Sequence, residues 1–428
     1  MNTFQYSKLS ASEIQRLVKR PKMDFTAIFE TVQPIINAVQ ANGDQAVRTF
    51  TKKFDGVELS NITINPAELE VKLDPNTKTA IDTAFNNIKQ FHEAQKTDSI
   101  TVETMPGVSC SRFTRAIERV GIYVPGGTAI LPSTAMMLAI PAMLAGCSTI
   151  ILATPPKLDG SIAPEIIYIA QKTGVQKILL AGGAQAVAAL AFGTESVPKV
   201  DKILGPGNQF VTAAKMILQN SEAQISIDMP AGPSEVLIIA DKQANPAFVA
   251  ADLLSQAEHG KDSQVVLVAT QDFDLATLKI ELEQQLNALS RKEITAQALT
   301  NHFTILVDSL DEAFAFSNEY APEHLIVNTA NAKDYLDKIT NAGSIFLGNW
   351  TPESVGDYAS GTNHTLPTYG YAKMYSGVNL SSYQKSITVQ TLSQEGLKNI
   401  GTTVEKLAEI EGLDAHKNAV SIRLKEIT

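Results

Sequence analysis

Short apolar runs alternate with longer amphipathic stretches along most of the chain. From about residue 119, "RVGIYV", "TIILATP", "KILLAG" and "KILGPG" are followed in turn by the helical patterns "TAMMLAIPAMLAG", "PEIIYIAQKTG", "AQAVAALAFG" and "NQFVTAAKMILQ", and "AQISID" closes the series. A second series runs "EVLIIAD", "AFVAADLLSQAEHG", "QVVLVAT", "DLATLKIELEQQLNAL", "FTILVD", "DEAFAFSNEY", "HLIVNT", "AKDYLDKIT", "SIFLG". Brief runs that are apolar throughout and end near Gly or Pro suit strands buried on both faces of a parallel sheet. The repeated alternation predicts an α/β fold: two Rossmann-like doubly wound sheet domains with small helical N- and C-terminal segments.

The pattern breaks at both ends. Residues 1 to about 107 read as helical and mixed, with Ile14, Leu17 and Val18 at helical spacing in "SEIQRLVKR". Residues 350–380 are polar, rich in Gly, Ser, Thr and Tyr, and lack any apolar period. So long a segment is functional or disordered, and its aromatics and Pro367 favour order. The chain then returns to short helical stretches, "TVEKLAEIEG" and "DAHKNAVSIRLKEI".

The 428 residues leave room for two or three domains with cores of their own. A formal net charge of -10 argues against nucleic acid and anionic membrane as partners. Cys110 and Cys147 form no CxxC pair, which disfavours a thiolate zinc site and a disulfide framework. The polar start "MNTFQYSKLS" has no secretory h-region, and "TAMMLAIPAMLAGC" is too short for a bilayer, so a cytoplasmic location is expected.

Three expected strand ends are Gly-rich: "GIYVPGG", "LLAGGAQA" and "ILGPGN". Glycine admits close backbone approach and helix N-termini attract phosphate, but none is GxGxxG. Structural turns and phosphate contacts both stay open.

Gln256 and His259 in "LLSQAEHG" are three apart near a helix end and share a face, although a solvent-facing Gln and a C-terminal His are the plainer reading. Asp357 and His364 lie in the polar segment, and their groups suit a divalent metal. His416 opens the last helix, where Asp414 reads as a cap. His92 reads as exposed on a polar helix and His302 as structural. In "YAPEHL", Glu323 and His324 are neighbours at a strand entrance. Spacing alone leaves three readings of them: half a metal site, an acid/base pair, or coincidence. HExxH is absent.

Taken together, "GIYVPGG", "GGAQAVAALAFGTESVPKVDKILGPGN", "IDMPAGPSEVL", "DLLSQAEHG", "YAPEHL", "SIFLGNWTPESVGDYASGTNHTLPTYGY" and "AHKNAV" resemble the histidinol dehydrogenase family, motif by motif and in order. The resemblance runs from about residue 119 to the end, with no departure at a motif position that carries chemistry. It implies a zinc-dependent oxidation of L-histidinol to L-histidine through L-histidinaldehyde with two NAD, the last step of histidine biosynthesis. It implies one zinc ion per subunit, held by Gln256, His259, Asp357 and His416. Ser234, His364 and Glu411 join the zinc ligands and His324 around the substrate, and Tyr123, Gln185 and Asn208 meet NAD. Within that frame Glu323 and His324 are left for proton work: His324 removes the alcohol proton, and Glu323 activates the water that adds to the aldehyde. The resemblance also implies a homodimer in which Glu411 and His416 come from the other subunit.

The expected division is an N-terminal helical arm, 1–24; a first α/β domain from 25–110 plus 235–375; a second Rossmann-like domain, 111–234; and a C-terminal tail, 376–428. Competing functions are an aldehyde oxidation through a cysteine nucleophile, with Cys110 better placed than Cys147, and a zinc hydrolase with Glu323 activating metal-bound water. A binding protein that kept the fold and lost turnover is a third.

Overall fold

The apolar runs "EVLIIA" and "QVVLVA" have no polar face, so they must be covered on both sides, and they lie at the centre of a sheet. In a computed structural model, which describes residues 2–20, 25–126, 130–229 and 232–427, this sheet has six strands, all parallel. Its order is Asn2–Gln5, Phe303–Val307, Gln264–Thr270, Glu235–Ala240, His324–Asn328, Ser344–Leu347. Val236 pairs with His324 in register, so Glu235 and Glu323 both stand at the amino edge. Alternate residues feed two cores: Val236, Ile238 and Leu267 on one face, Leu237, Ile239 and Val266 on the other.

A second six-stranded sheet runs Thr63–Ile64, Lys177–Leu180, Thr149–Thr154, Arg119–Tyr123, Lys202–Leu204, Ser226–Ile227. Only the two-residue edge strand Thr63–Ile64 is antiparallel. Apart from the edge strands Asn2–Gln5 and Thr63–Ile64, which the chain lays down first, each sheet begins at a central strand, Glu235–Ala240 or Arg119–Tyr123, builds outward on one side, then returns to build on the other. That is doubly wound topology, with a switch point beside the central strand.

The expected grouping of residues 25–110 with 235–375 is overturned. The helical segment Phe25–Asp55, kinked at Gly43 (φ 48), and helix Pro75–Glu93 cover opposite faces of the second sheet: Val32, Ile36 and Val39 join one core, Ile81, Phe85 and Ile88 the other. Their apolar stripes complete the burial of the 111–234 unit, and Thr63–Ile64 extends its sheet. The N-terminal arm is more than helical. Its strand Asn2–Gln5 adds to the first sheet, while Ile14, Leu17 and Val18 of helix Ala11–Val18 pack below it. The tail is likewise completed from elsewhere: Gln384–Leu392 pairs antiparallel with Val108–Ala116, which pairs with Ile100–Met105. Helix Gln394–Ile410 attaches to this small sheet, and helix Asp414–Ile427 packs against that helix.

Among the described residues, no helix is long and apolar enough to cross a membrane. His302 is buried, bonded to the Val265 carbonyl and Thr304, as a structural histidine should be. His92 differs from its exposed reading. It is fully buried, with Nδ1 donating to the Ile88 carbonyl, because its helix faces the protein on that side.

Candidate active site at the amino edge of the first sheet

Helix Leu310–Tyr320 ends at Ala321, which takes the left-handed conformation (φ 52, ψ 66). This reverses the chain, and Pro322 carries it into strand His324–Asn328. Glu323 and His324 are thereby delivered, both buried, beside Glu235 at the start of the central strand. The Glu235 N–H donates to Glu323 Oε2 at 2.8 Å, and its carbonyl accepts from His324 Nδ1 at 3.1 Å. His324 Nε2 lies 3.3 Å from Asp357 Oδ1, an ion-pair distance whose geometry falls short of a hydrogen bond. With the proton on Nδ1, the Nε2 lone pair is available to the site.

Asp357 comes from a short helix, Glu353–Tyr358, inside the segment that reads as irregular. Gly356 lets this helix close on Phe346; a Cβ there would stand 2.7 Å from the ring, which itself lies 5.9 Å from the His324 imidazole. Glu353, four residues before Asp357, shares its face and is buried. His259, half-exposed just past helix Pro246–Ala257, offers Nε2 at 4.0 Å from Asp357 Oδ2. One ligand atom each from His259, Glu353 and Asp357 fall within 4.8 Å of one another. An imidazole and two carboxylates fit a divalent cation of borderline to hard character.

Gln256 is fully buried behind this trio. With its amide nitrogen inward it donates to Glu353 Oε1 and to the Glu235 carbonyl, each at 3.2 Å. Glu353 was missed by sequence reasoning. The spacing in "ESVGD" was its signal, hidden because residues 350–380 show no apolar period.

The charges are concentrated and buried. Burial pushes the Glu323 carboxyl up to about 8 and Asp252 up to about 7, and holds Glu353 well above the carboxylate range. In the metal-free site burial alone would lower His324, but the carboxylates of Glu323, Glu353 and Asp357 outweigh it and push the imidazole up to about 10, so its Nε2 can accept a proton near neutral pH only where a bound cation offsets those carboxylates. Burial would raise Asp357, yet contact with His324 and the other imidazoles leaves it below its usual range. His259 and His364 are lowered, mainly by burial.

His364 joins the two sheets. Its Nδ1 donates to the Asp357 carbonyl at 2.8 Å, and its Nε2 lies 3.1 Å from Thr134 Oγ1. Thr134 sits in the first turn of helix Pro132–Ala145, just beyond the carboxyl end of strand Arg119–Tyr123. Ser234 precedes Glu235 at the same junction. The three residues expected at NAD all lie at the carboxyl edge of the second sheet. Tyr123 ends its strand, and its hydroxyl accepts from Gly183 N at 3.0 Å. Gln185 is buried with Oε1 lacking a protein partner, and Asn208 caps helix Gln209–Gln219. Gly205, between them at φ 125, comes so close to Tyr123 that a Cβ would overlap the Tyr123 carbonyl oxygen.

Glu411 and His416 are not brought to this place. Both are exposed in the C-terminal helical module, and among the described residues no hydrogen bond or ion pair ties them to the site. Neither cysteine lies beside Glu323 and His324. Cys147 is buried in the core of the second sheet, its thiol pushed up to about 12 by burial, and Cys110 lies in the three-stranded sheet. A cysteine nucleophile therefore finds no support in this arrangement.

Two doubly wound sheets that meet beside the buried Glu323–His324 pair make a two-domain α/β architecture. The acetylating aldehyde dehydrogenase of Geobacillus thermoglucosidasius shares the fold alone, at TM-score 0.50 and 14% identity over 91% of this chain and 95% of that one. The family model for histidinol dehydrogenase matches residues 18–424. The chloroplastic histidinol dehydrogenase of Arabidopsis thaliana is 59% identical over 100% of this chain and 92% of that protein. The histidinol dehydrogenase structure from Elizabethkingia anophelis is 50% identical, at TM-score 0.93, covering 100% of this chain and 98% of that one. The histidine biosynthesis trifunctional protein of Neurospora crassa is 55% identical over 100% of this chain and 50% of that protein. The chain belongs to the histidinol dehydrogenase family.

Proposed function

We propose that this protein oxidises L-histidinol to L-histidine through L-histidinaldehyde, reducing two NAD, with one zinc ion per subunit. The observation that carries the chemistry is the buried Glu323–His324 pair beside the His259, Glu353 and Asp357 donors. Each oxidation releases a hydride and a proton. His324, oriented through Nδ1 by the Glu235 carbonyl, takes the alcohol proton at Nε2. Glu323, oriented by the Glu235 N–H, takes a proton from the water that converts the aldehyde to its hydrate. His324 acts again as the hydrate loses the second hydride.

His259 and Asp357 would hold the zinc, with Gln256 and with His416 of a second subunit. Glu353 stands close enough to His259 and Asp357 to share in it. The ion, when bound, supplies positive charge that orients the imidazole and amino nitrogens of the substrate. Ser234, His364 and the second subunit's Glu411 would contact the substrate. NAD, as hydride acceptor, would lie against Tyr123, Gln185 and Asn208. The exposed positions of Glu411 and His416 suit a homodimer with shared sites.

The test is NADH absorbance on mixing with L-histidinol and NAD, with and without chelator. Two NADH per histidinol, lost on chelation and restored by zinc, is the expected result. One NADH per histidinol, or indifference to chelation, would overturn it. A fully active monomeric variant would sink the shared site.

A further inference from the structure

Glu235 has two separate sets of contacts. Its peptide group faces the reaction: the N–H holds Glu323 and the carbonyl holds His324. Its carboxylate faces away and is fully buried. There it accepts from Arg20 Nε and Nη2, both at 2.8 Å, and from the Tyr369 N–H at 3.1 Å. The Arg20 guanidinium lies 3.4 Å from the centre of the Tyr320 ring, and its Nη1 donates to the Val18 carbonyl at 2.8 Å. Arg20 ends the described part of the N-terminal arm and is itself buried.

A buried ion pair is a poor source of net stability, because desolvation offsets the attraction, and an apolar pair could fill the space as well. What a two-pronged guanidinium–carboxylate contact adds is orientation: both partners are held in one plane. Here the oriented residue is the first of its strand, where the ladder alone constrains the peptide least.

We propose that Arg20 and Glu235 form a positioning pair: the ion pair fixes the Glu235 peptide, and that peptide sets the orientation of Glu323 and His324. This rests on the reading of Glu323 and His324 as the acid/base pair. The N-terminal arm is on this account part of the machinery that aligns proton transfer, although it touches neither reacting group.

Arg20→Lys keeps the charge and loses the fork. It should lower kcat about tenfold to a hundredfold, since small misplacements of acid/base groups cost that much. KM for histidinol and for NAD, zinc content and the melting temperature should stay near wild type. The double variant Arg20→Met/Glu235→Gln leaves no buried charge unpaired, and it should keep the low kcat even where its melting temperature matches wild type. If Arg20→Lys fails to fold, the double variant decides alone. In a His324→Asn background, Arg20→Lys should add little further loss, because both act through one group.

Wild-type kcat in folded Arg20→Lys or in the double variant overturns the proposal. So does a full additional loss in the His324→Asn background. The acid/base reading fails differently: His324→Asn and Glu323→Gln would then turn over at the wild-type rate.

Discussion

The two six-stranded sheets are wound alike, yet they meet through opposite edges. The first offers its amino edge, where Glu235, Glu323 and His324 begin their strands. The second offers its carboxyl edge, where Tyr123, the Gly182–Gly183 turn and Gly205 end theirs. In a doubly wound sheet the connecting helices run antiparallel to the strands, so each edge has its own electrostatics. Helices Pro246–Ala257 and Leu310–Tyr320 point their C-termini at the amino edge, where negative partial charge favours a cation or an imidazolium. Helix Gly183–Phe192 points its N-terminus out of the carboxyl edge with no side chain capping it, which favours an anion such as a phosphate. One topology thus provides a cation-attracting pole and an anion-attracting pole at a single junction. His364, bonded to Asp357 on one side and Thr134 on the other, marks where they touch.

The comparison predicts that amino-edge variants act on turnover and carboxyl-edge variants on cofactor affinity. The largest effect is expected for His324→Asn: kcat should fall by about 10² to 10⁴ in both oxidations, with zinc content near normal. Loss of zinc instead would make His324 a ligand. Glu323→Gln should fall by about 10², and chiefly when histidinaldehyde is supplied, because only that step consumes water. Equal slowing of both oxidations, measured by pre-steady-state NADH release, would break the division between the two residues.

The same pole predicts a pH response of the metal-free protein. Burial raises Glu323 from about 4.5 to about 8, so the folded state holds that proton more tightly than the unfolded chain. Its contribution is complete below about 4.5 and lost as pH rises through about 8. Despite its burial, His324 is raised from about 6.5 to about 10 by its carboxylate neighbours, so its contribution is complete below about 6.5 and lost through about 10. Calorimetry should show the melting temperature of the metal-free protein falling from pH 7 to pH 10. A flat or rising profile would mean the cluster does not hold its protons as the geometry implies.

Much of this was legible in the chain. Apolar runs without a polar face identify buried strands, and their alternation with helices identifies doubly wound sheets. Glu323 and His324 were visible as neighbours, but only the fold shows that one peptide group, that of Glu235, serves both. Helices Phe25–Asp55 and Pro75–Glu93 were placed on the wrong sheet, because an amphipathic stripe says that a face is buried and not against what. Glu353 escaped because a six-residue helix is too short to show a period. Glu411 and His416 stay apart from the site within one chain, and no local pattern ties an exposed helix to a distant site.

At the carboxyl edge the effects should be smaller and of another kind. Gln185 keeps a buried amide oxygen with no protein partner, so a ligand donor there would be matched. Gln185→Ala should raise KM for NAD about tenfold, the value of one such hydrogen bond, and leave kcat nearly unchanged. A loss confined to kcat would place Gln185 with the acid/base machinery and dissolve the contrast between the edges.

The smallest effect is expected at Asn208, where two roles compete. Its Oδ1 accepts from Phe210 N at 3.0 Å and Val211 N at 3.1 Å, so it already serves as the helix cap. Removing a cap costs about 1 kcal/mol. Asn208→Asp keeps the cap and adds a negative charge at the helix end, whereas Asn208→Ser keeps a cap without charge. If this end approaches NAD phosphate, the Asp variant should raise KM for NAD well above the Ser variant at equal melting temperature. Equal KM values would make Asn208 a structural cap and leave the anion-attracting pole to the uncapped helix at Gly182.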